Sequence, residues 1–370
     1  MEKIKILQIA RQFFPSIGGI ESVTLGLSKA LKEVGYDCAV ATLKYNFQSK
    51  EKLDSFEEVE GVPVYRFSHI GGRRYPIVPE VLKLVKDYDL LHIHAIDFFV
   101  DFINLTRFLH NKPIVVSTHG GIFHTRWNRI IKRIWFRTLT RASLGGVRWV
   151  VADSQHDMDL FRPIVLPGKL KYIPNGVDIE NLLILPRLTE RGLLVGVGRM
   201  VENKRVDMIL QAIAQLRLEF PYIHLVWVGS GSEEESLKKQ AADLGLNENV
   251  QFMGLIPTPQ RNSLLARAHL FVSAASYEAF GVSTIEALAA GAVPVVTRVG
   301  IHPEVIQTGQ NGWLYSGGID SLTETLRQAL KTDMDQISIM SELSRKKAQP
   351  YSWKSIVAEY VKLYENALSG

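Results

Sequence analysis

Short apolar runs alternate along the chain with stretches whose apolar positions recur every three or four residues, the pattern of strands joined by helices. Residues 4–10, 37–42, 62–67, 89–94, 114–118, 147–152 and 171–174 read as strands. Between them, 20–34 (closed by Gly35), 78–86, 98–109 and a segment through Phe161 capped by Ser154 read as helices. Residues 181–191 lack periodicity, contain Pro186 and read as a linker. The alternation then resumes. Strands are expected at 193–197, 223–228, 250–252, 269–274 and 293–297, and helices at 206–217, 234–244, 259–266, 285–290 and 321–330. An amphipathic helix, 353–368, ends the pattern. Two such series predict an α/β protein of two Rossmann-like, doubly wound parallel-sheet domains facing a cleft. The expected division is 1–180, 181–350, and a C-terminal segment, 351–370, packing back on the first domain. Ligands of such sheets bind beyond the carboxyl ends of the strands.

Composition narrows this. With 46% apolar residues in 370, two sizeable cores are available. No run of eighteen apolar residues exists, so no spanning helix is expected, and the opening MEKIKILQIA reads as a first strand. The single cysteine, Cys38, excludes an intrachain disulfide and a cysteine metal cluster, and fits a reducing compartment. The net charge of +5 is local. Residues 120–152 carry seven basic side chains and no acidic one; taking those seven from 43 leaves 36 basic against 38 acidic.

The stretch 276–294 holds the densest candidate chemistry. Glu278 and Glu286 flank Gly281, Ser283 and Thr284 where a helix begins. Backbone N–H groups at a helix start suit an anion. Carboxylates beside it suit sugar or ribose hydroxyls. Arg199 and Lys204, after the first strand of the second domain, suit a diphosphate. Gly18 and Gly19 lie between the first strand and first helix without completing a dinucleotide fingerprint. His119 ends a strand beside Gly120. His92 and His94 share one strand face, with packing favoured for His92. Asp157 and Asp159, like Asp333 and Asp335, form DxD pairs, but on helices i,i+2 side chains point apart, so no metal is expected there.

The basic segment 125–142 reads as a helix. Phe123, just before it, and Trp127, Ile130, Ile131, Ile134 and Thr138 follow three-four spacing, Arg129, Arg133, Arg137 and Arg141 form a stripe, and Trp135 and Phe136 lie at the boundary. Such a helix fits an anionic membrane surface. The alternative is a core-packed helix with a solvated basic face. No recognition motif for nucleic acid accompanies the patch.

Taken together, the segments 15–21, His119-Gly120, 173–178, Gly198-Arg199 with Lys204, Gly229-Ser230-Gly231, and Glu278-Ala279-Phe280-Gly281 with Glu286-Ala287 resemble the retaining glycosyltransferases of family four, of the GT-B fold. The resemblance implies that Arg199 and Lys204 hold the donor diphosphate and Glu286 the ribose. It implies that Glu278 and the backbone near Phe280 and Gly281 place the donor sugar, and that Ser283 and Thr284 lie near phosphate. His119 is implied to contact that sugar near the reacting carbon, and Gly19 to close over the diphosphate. It implies no cofactor or metal. Ile301-His302, before Pro303-Glu304, departs from the pattern, since a second glycine after Gly300 is common there. The segment 117–125, with the basic helix behind it, is similar to mannosyltransferases that act on diphosphopolyprenol-linked saccharides in exopolysaccharide assembly. That implies GDP-mannose as donor, a lipid-linked acceptor, and a cytoplasmic protein peripheral on the inner face of the plasma membrane. The alternatives are UDP-glucose, UDP-galactose or UDP-GlcNAc as donor, a nucleotide-sugar 2-epimerase, or a non-catalytic nucleotide-sugar-binding protein.

Overall fold

The structure, a computed structural model, describes residues 3–16, 18–47, 49–72, 76–120 and 129–369; for 129, 131 and 132 it describes the backbone. The chain divides into two compact units, Met1–Gly176 with Trp353–Gly370, and Val177–Ser352.

Among the described residues, the first unit is built on eight strands, β1 (Lys5–Ala10), β2 (Asp37–Leu43), β3 (Phe56–Val59), β4 (Val62–Phe67), β5 (Leu90–His94), β6 (Ile114–Ser117), β7 (Trp149–Ala152) and β8 (Leu170–Tyr172). Their order is β3-β4-β2-β1-β5-β6-β7-β8. Every pairing is parallel except β3 with β4. The central strands are buried on both faces, which is why they read as unbroken apolar runs. The polar β3 (FEEV) has no such run. It is placed by the turn at Glu60 and Gly61, both at positive φ (47° and 80°), which suits a tight hairpin.

The helices of this unit are α1 (Gly19–Glu33), α2 (Val81–Val85), α3 (Phe98–Leu105), α4 (Arg107–His110), α5 (Arg129–Trp135), α6 (Arg141–Gly145) and α7 (Gln155–Phe161). The helix expected over 98–109 is broken at Thr106, whose hydroxyl bonds back to Phe102 O at 2.7 Å. The basic helix is interrupted too. Between α5 and α6 lies a π-helical turn, Phe136–Thr140. Its wider turn, with more residues per turn, brings Phe136 and Thr140 into the core, where Phe136 meets Phe161 edge-on. The part of the expected helix before Arg129, with Trp127, lies outside the described residues.

The second unit carries β9 (Glu190–Val197), β10 (His224–Val228), β11 (Val250–Phe252), β12 (Ala268–Ser273), β13 (Val293–Thr297) and β14 (Trp313–Tyr315), in the all-parallel order β11-β10-β9-β12-β13-β14. Its helices are α8 (Glu180–Leu183), α9 (Val206–Leu216), α10 (Glu234–Asp243), α11 (Thr258–Arg267), α12 (Val282–Ala290), α13 (His302–Val305), α14 (Ile319–Lys331) and α15 (Met334–Ala348). The expected linker, 181–191, is part of this unit. Ile179 and Leu182 enter its core, and Arg187 donates to Ala266 O at 2.5 Å and to Ala268 O. Arg345 of α15 holds Leu183 O and Leu185 O at 3.1 and 2.8 Å. The segment looks aperiodic because scattered side chains (Leu182, Arg187) and main-chain carbonyls held by Arg345 dock it, with no repeating apolar face. The chain then returns to the first unit as α16 (Trp353–Leu368), whose Trp353 lies against Gly26 of α1.

Candidate active site

In the second unit, the candidate residues gather where β9 and β12 end. Arg199 leaves β9 and is exposed. Lys204 closes a short 3-10 turn, Glu202–Lys204, and forms an ion pair with Glu278. Two main-chain contacts fix this meeting: Ser276 N donates to Asn203 O at 2.8 Å, and Asn203 Nδ2 to Tyr277 O at 3.2 Å. Close approach requires glycine nearby, since a Cβ at Gly229 would stand 2.2 Å from Gly198 O.

Gly281, at φ 115°, turns the loop into α12. Ser283 is half-buried in the first turn. Thr284 is buried, and its hydroxyl lies 2.9 Å from His302 Nε2. His302 Nδ1 donates to Thr297 O at 2.8 Å, so Nε2 accepts from Thr284. Burial holds His302 below the usual imidazole range, keeping it neutral. The histidine of the departing Ile301-His302 pair thus supports the turn before α12, and Thr284's hydroxyl is directed to it. Phe280 is buried against Tyr351, which leaves its backbone as its contribution to any site.

Glu286 sits on the second turn of α12, buried, with Oε1 2.8 Å from Arg261 Nη2 of α11. Burial raises its carboxyl; Arg261 opposes this and Asp178 adds to it. Arg261 escaped sequence reasoning because it lies on a polar helix with no motif around it.

In the first unit, Gly18 and Gly19 open α1 after β1, as the strand–loop–helix pattern predicts. Among the described residues outside its chain neighbours and its own helix backbone, nothing lies within 4 Å of where a Cβ at Gly19 would stand. His119 follows β6 at φ 46°, and its ring is buried. Nε2 lies 3.0 Å from His94 Nδ1, and Nδ1 lies 3.3 Å from Asp153 Oδ2. His94 Nε2 meets Gln8 Oε1 at 2.7 Å. His92 bridges Ser117 Oγ (2.8 Å) and Tyr364 Oη (2.6 Å) of α16. Burial drives His92 down to about 3 and His94 well below its usual range, so both are neutral. Because His94 Nε2 donates to a carbonyl oxygen, its Nδ1 accepts, and His119 donates to it.

The turn after β6 is held by Asp157, which accepts from Thr118 Oγ1 and, at 2.8 Å, from Gly120 N. Burial, with the Asp153 carboxylate next to it, pushes Asp157 up to about 7. Asn175 Nδ2 donates to Asp153 Oδ2 at 2.9 Å. Asp157 and Asp159 point apart as expected, but Asp157 is a buried member of the site. Among the described residues, no group of three His, Cys, Asp or Glu is placed to hold a metal ion.

Against this geometry stand clear likenesses. Residues 17–181 match the model for Glycosyltransferase Family 4, and residues 184–347 that for Glycosyl transferases group 1. A GDP-mannose:cellobiosyl-diphosphopolyprenol alpha-mannosyltransferase of Komagataeibacter xylinus is 33% identical over 99% of this chain and 94% of the relative. The chain is a glycosyltransferase of family four. A Xanthomonas campestris relative of the same name is 32% identical over 99% of the chain and 97% of its own length. The fold of this glycosyltransferase is GT-B. Sucrose-phosphate synthase from Thermosynechococcus elongatus superposes with a TM-score of 0.81 at 20% identity, covering 99% of this chain and all of that one. Anabaena Alr3699/HepE in complex with UDP-glucose superposes at 0.78 and 19% identity, covering 98% of this chain and all of its own.

On α5 and the π-helical turn, Ile130, Ile134, Trp135 and Leu139 are exposed, as are Arg133, Arg137 and Arg141. The core-packed alternative therefore fails for these apolar side chains. Arg129 lies on α5, with only its backbone described. No helix among the described residues is long and apolar enough to cross a membrane.

Proposed function

We propose that this glycosyltransferase moves mannose from GDP-mannose, with retention, to a saccharide carried on a diphosphopolyprenol lipid during assembly of cell-surface polysaccharide. The observation that carries donor and acceptor is 33% identity, over 99% of the chain, to relatives named for that reaction. In the transfer, the bond from the anomeric carbon to the diphosphate oxygen breaks while the bond to the acceptor hydroxyl forms on the same face. The hydroxyl proton leaves with the diphosphate. Charge grows on that leaving group, and Arg199 and Lys204 take it up. Glu278 receives sugar hydroxyls, Glu286 the ribose, and the first turn of α12 with Ser283 a phosphate. Gly18 and Gly19 let backbone approach the diphosphate. His119 serves the donor sugar. With both of its ring nitrogens already bonded, that contact falls to its main chain and ring edge. No bound metal or other cofactor is assigned a part.

The exposed apolar and arginine side chains of α5 and the π-helical turn support docking on the anionic inner face of the plasma membrane. A lipid-linked acceptor then meets the enzyme at the surface where it resides.

The test offers the full chain a cellobiosyl-diphosphopolyprenol acceptor with GDP-mannose, UDP-glucose, UDP-galactose or UDP-GlcNAc in turn. Mannosylated lipid from GDP-mannose alone is expected. Transfer from a UDP-sugar alone would reassign the donor. Interconversion of the sugar without acceptor would make the protein an epimerase, and binding without turnover a non-catalytic one.

A further inference from the structure

The acid-free character of the first unit extends well beyond the basic helix. From Phe102 to Ala152 there is no Asp or Glu, and there are nine Lys or Arg. This run includes the end of α3 and all of α4, where Leu105 of α3 and Phe108 and Leu109 of α4 stand out from the surface, Leu105 75% and Phe108 81% exposed. A soluble surface rarely leaves three large apolar side chains together at such exposure without a use for them.

Topology sets these residues beside the basic helix. β5, β6 and β7 are successive neighbours, so both crossovers step the same way across the sheet. Right-handed crossovers then put α3–α4 and α5–α6 on one face. Contacts agree: Ser143 of α6 donates to Asp101 of α3, and Arg107 of α4 reaches Gly146 O, just past α6, at 3.0 Å. Ile130 and Gly146 are sixteen residues apart, roughly 24 Å along a helical path. One end of this layer therefore presents Ile130 and Ile134, and the other Leu105, Phe108 and Leu109. Arg133, Arg137 and Arg141 lie between them.

Cations also rim the α4 end. Lys169 Nζ bonds Gly145 O and Val147 O at 3.1 and 2.8 Å, and feels Arg107 and Arg148 closely enough to be lowered by them, after burial. Capping the last carbonyls of α6 accounts for Lys169 and Arg107. It does not account for the three apolar side chains beside them.

We infer that Leu105, Phe108 and Leu109 form a second lipid-inserting contact, so that the glycosyltransferase docks on an anionic bilayer through both ends of this helical layer. This rests on the membrane reading above and deepens it. Charge complementarity selects the occupant, because the run from Phe102 to Ala152 carries Lys and Arg and no acid, with Asp101 of α3 beside it accepting from Ser143, which suits anionic headgroups, and apolar side chains suit the acyl boundary. Two separated contacts also fix the tilt of the unit on the membrane, which a single helix leaves free to roll.

The test uses the full chain and vesicles of equal parts phosphatidylcholine and phosphatidylglycerol. The double variant Leu105→Ser/Phe108→Ser is expected to bind them about tenfold more weakly, with donor hydrolysis without vesicles unchanged. Phe108→Cys carrying a fluorophore is expected to be quenched by a quencher on the acyl chains. Cys38, buried and pushed up to about 12, leaves that label selective. Arg133→Glu/Arg137→Glu separates the two ideas. If it loses binding while Leu105→Ser/Phe108→Ser binds like the wild type, the second contact is overturned and the helix reading stands. If neither variant loses binding, both fall. A change of oligomeric state in place of vesicle affinity would also overturn the inference, assigning the patch to a second copy of the chain.

Discussion

The ring of His119 stacks on that of His94, with centroids 5.3 Å apart and planes 11° from parallel, and donates Nε2–H to His94 Nδ1. His94 is in turn set by Gln8. Replacing His94 by Ala strands two buried groups, His119 Nε2 and Gln8 Oε1. At roughly 1–3 kcal/mol each, the loss should be about 3 kcal/mol. We expect a lower melting temperature and a kcat reduced tenfold or more, with the donor KM within about twofold. His94→Asn restores an acceptor for His119 and should recover part of kcat. A purely structural role would move the melting temperature and leave kcat per folded molecule unchanged, so melts and initial rates together decide it.

His92 is buried and neutral between Ser117 and Tyr364. Its native ring takes no proton until about 3, whereas the unfolded chain takes one near 6.5. The unfolded state therefore binds more protons over that window, and this residue's contribution falls as pH falls below 6.5. Asp157 acts with the opposite sign: raised to about 7, it favours the native state as pH drops from there toward 3.8. Relative to wild type, His92→Gln should gain up to about 1.4 kcal/mol per pH unit below 6.5. Asp157→Asn should lose stability relative to wild type over its own window. Denaturant titrations from pH 4 to about 8 read both slopes, and two parallel curves would reject the buried-neutral assignment.

Much of this architecture is legible because parallel strands buried on both faces must be apolar throughout, and β13 spans the expected 293–297. The glutamate spacing across a loop and helix start was legible for a different reason, since glycines mark where the chain turns. The polar support was not. Gln8, His92 and His94 each interrupt an otherwise apolar strand, and that interruption was the available signal. What a lone buried polar residue bonds to depends on neighbours far along the chain, such as Tyr364 for His92. Helix α15 was missed because small residues, Ser341, Ser344 and Ala348, make much of its buried face and blur the apolar period. The π-helical turn leaves no trace in residue spacing at all.

Lys204 pairs with Glu278 while each also belongs to the candidate donor site. Lys204→Ala removes a cation from the leaving group and leaves a partly buried carboxylate alone. We expect kcat/KM for transfer to fall by about two to three orders of magnitude. The charge-balanced double variant Lys204→Met/Glu278→Gln separates the two effects. It should melt near the wild type, because no lone charge remains, and stay as inactive as the single variant. Recovery of turnover in the double variant would show that the pair serves the fold alone.

Arg261 and Glu286 give the last prediction. Glu286 accepts most strongly from ribose hydroxyls while ionised, and burial works against ionisation. The Arg261 guanidinium, 2.8 Å away, opposes that tendency and fixes which carboxylate oxygen remains for a ligand. Arg261→Met should therefore raise the pH needed for donor binding. Donor KM should rise about tenfold near neutral pH and approach the wild-type value as the medium becomes alkaline and Glu286 ionises. Glu286→Gln, which cannot ionise, should show raised KM at every pH. Removing the arginine should also cost about 2 kcal/mol, less than a fully enclosed pair would, since both side chains retain some solvent access. Donor titrations across pH with the two variants side by side give the answer. If Arg261→Met keeps the wild-type pH profile, the arginine does not govern the charge on Glu286, and its part is limited to packing α11 against α12.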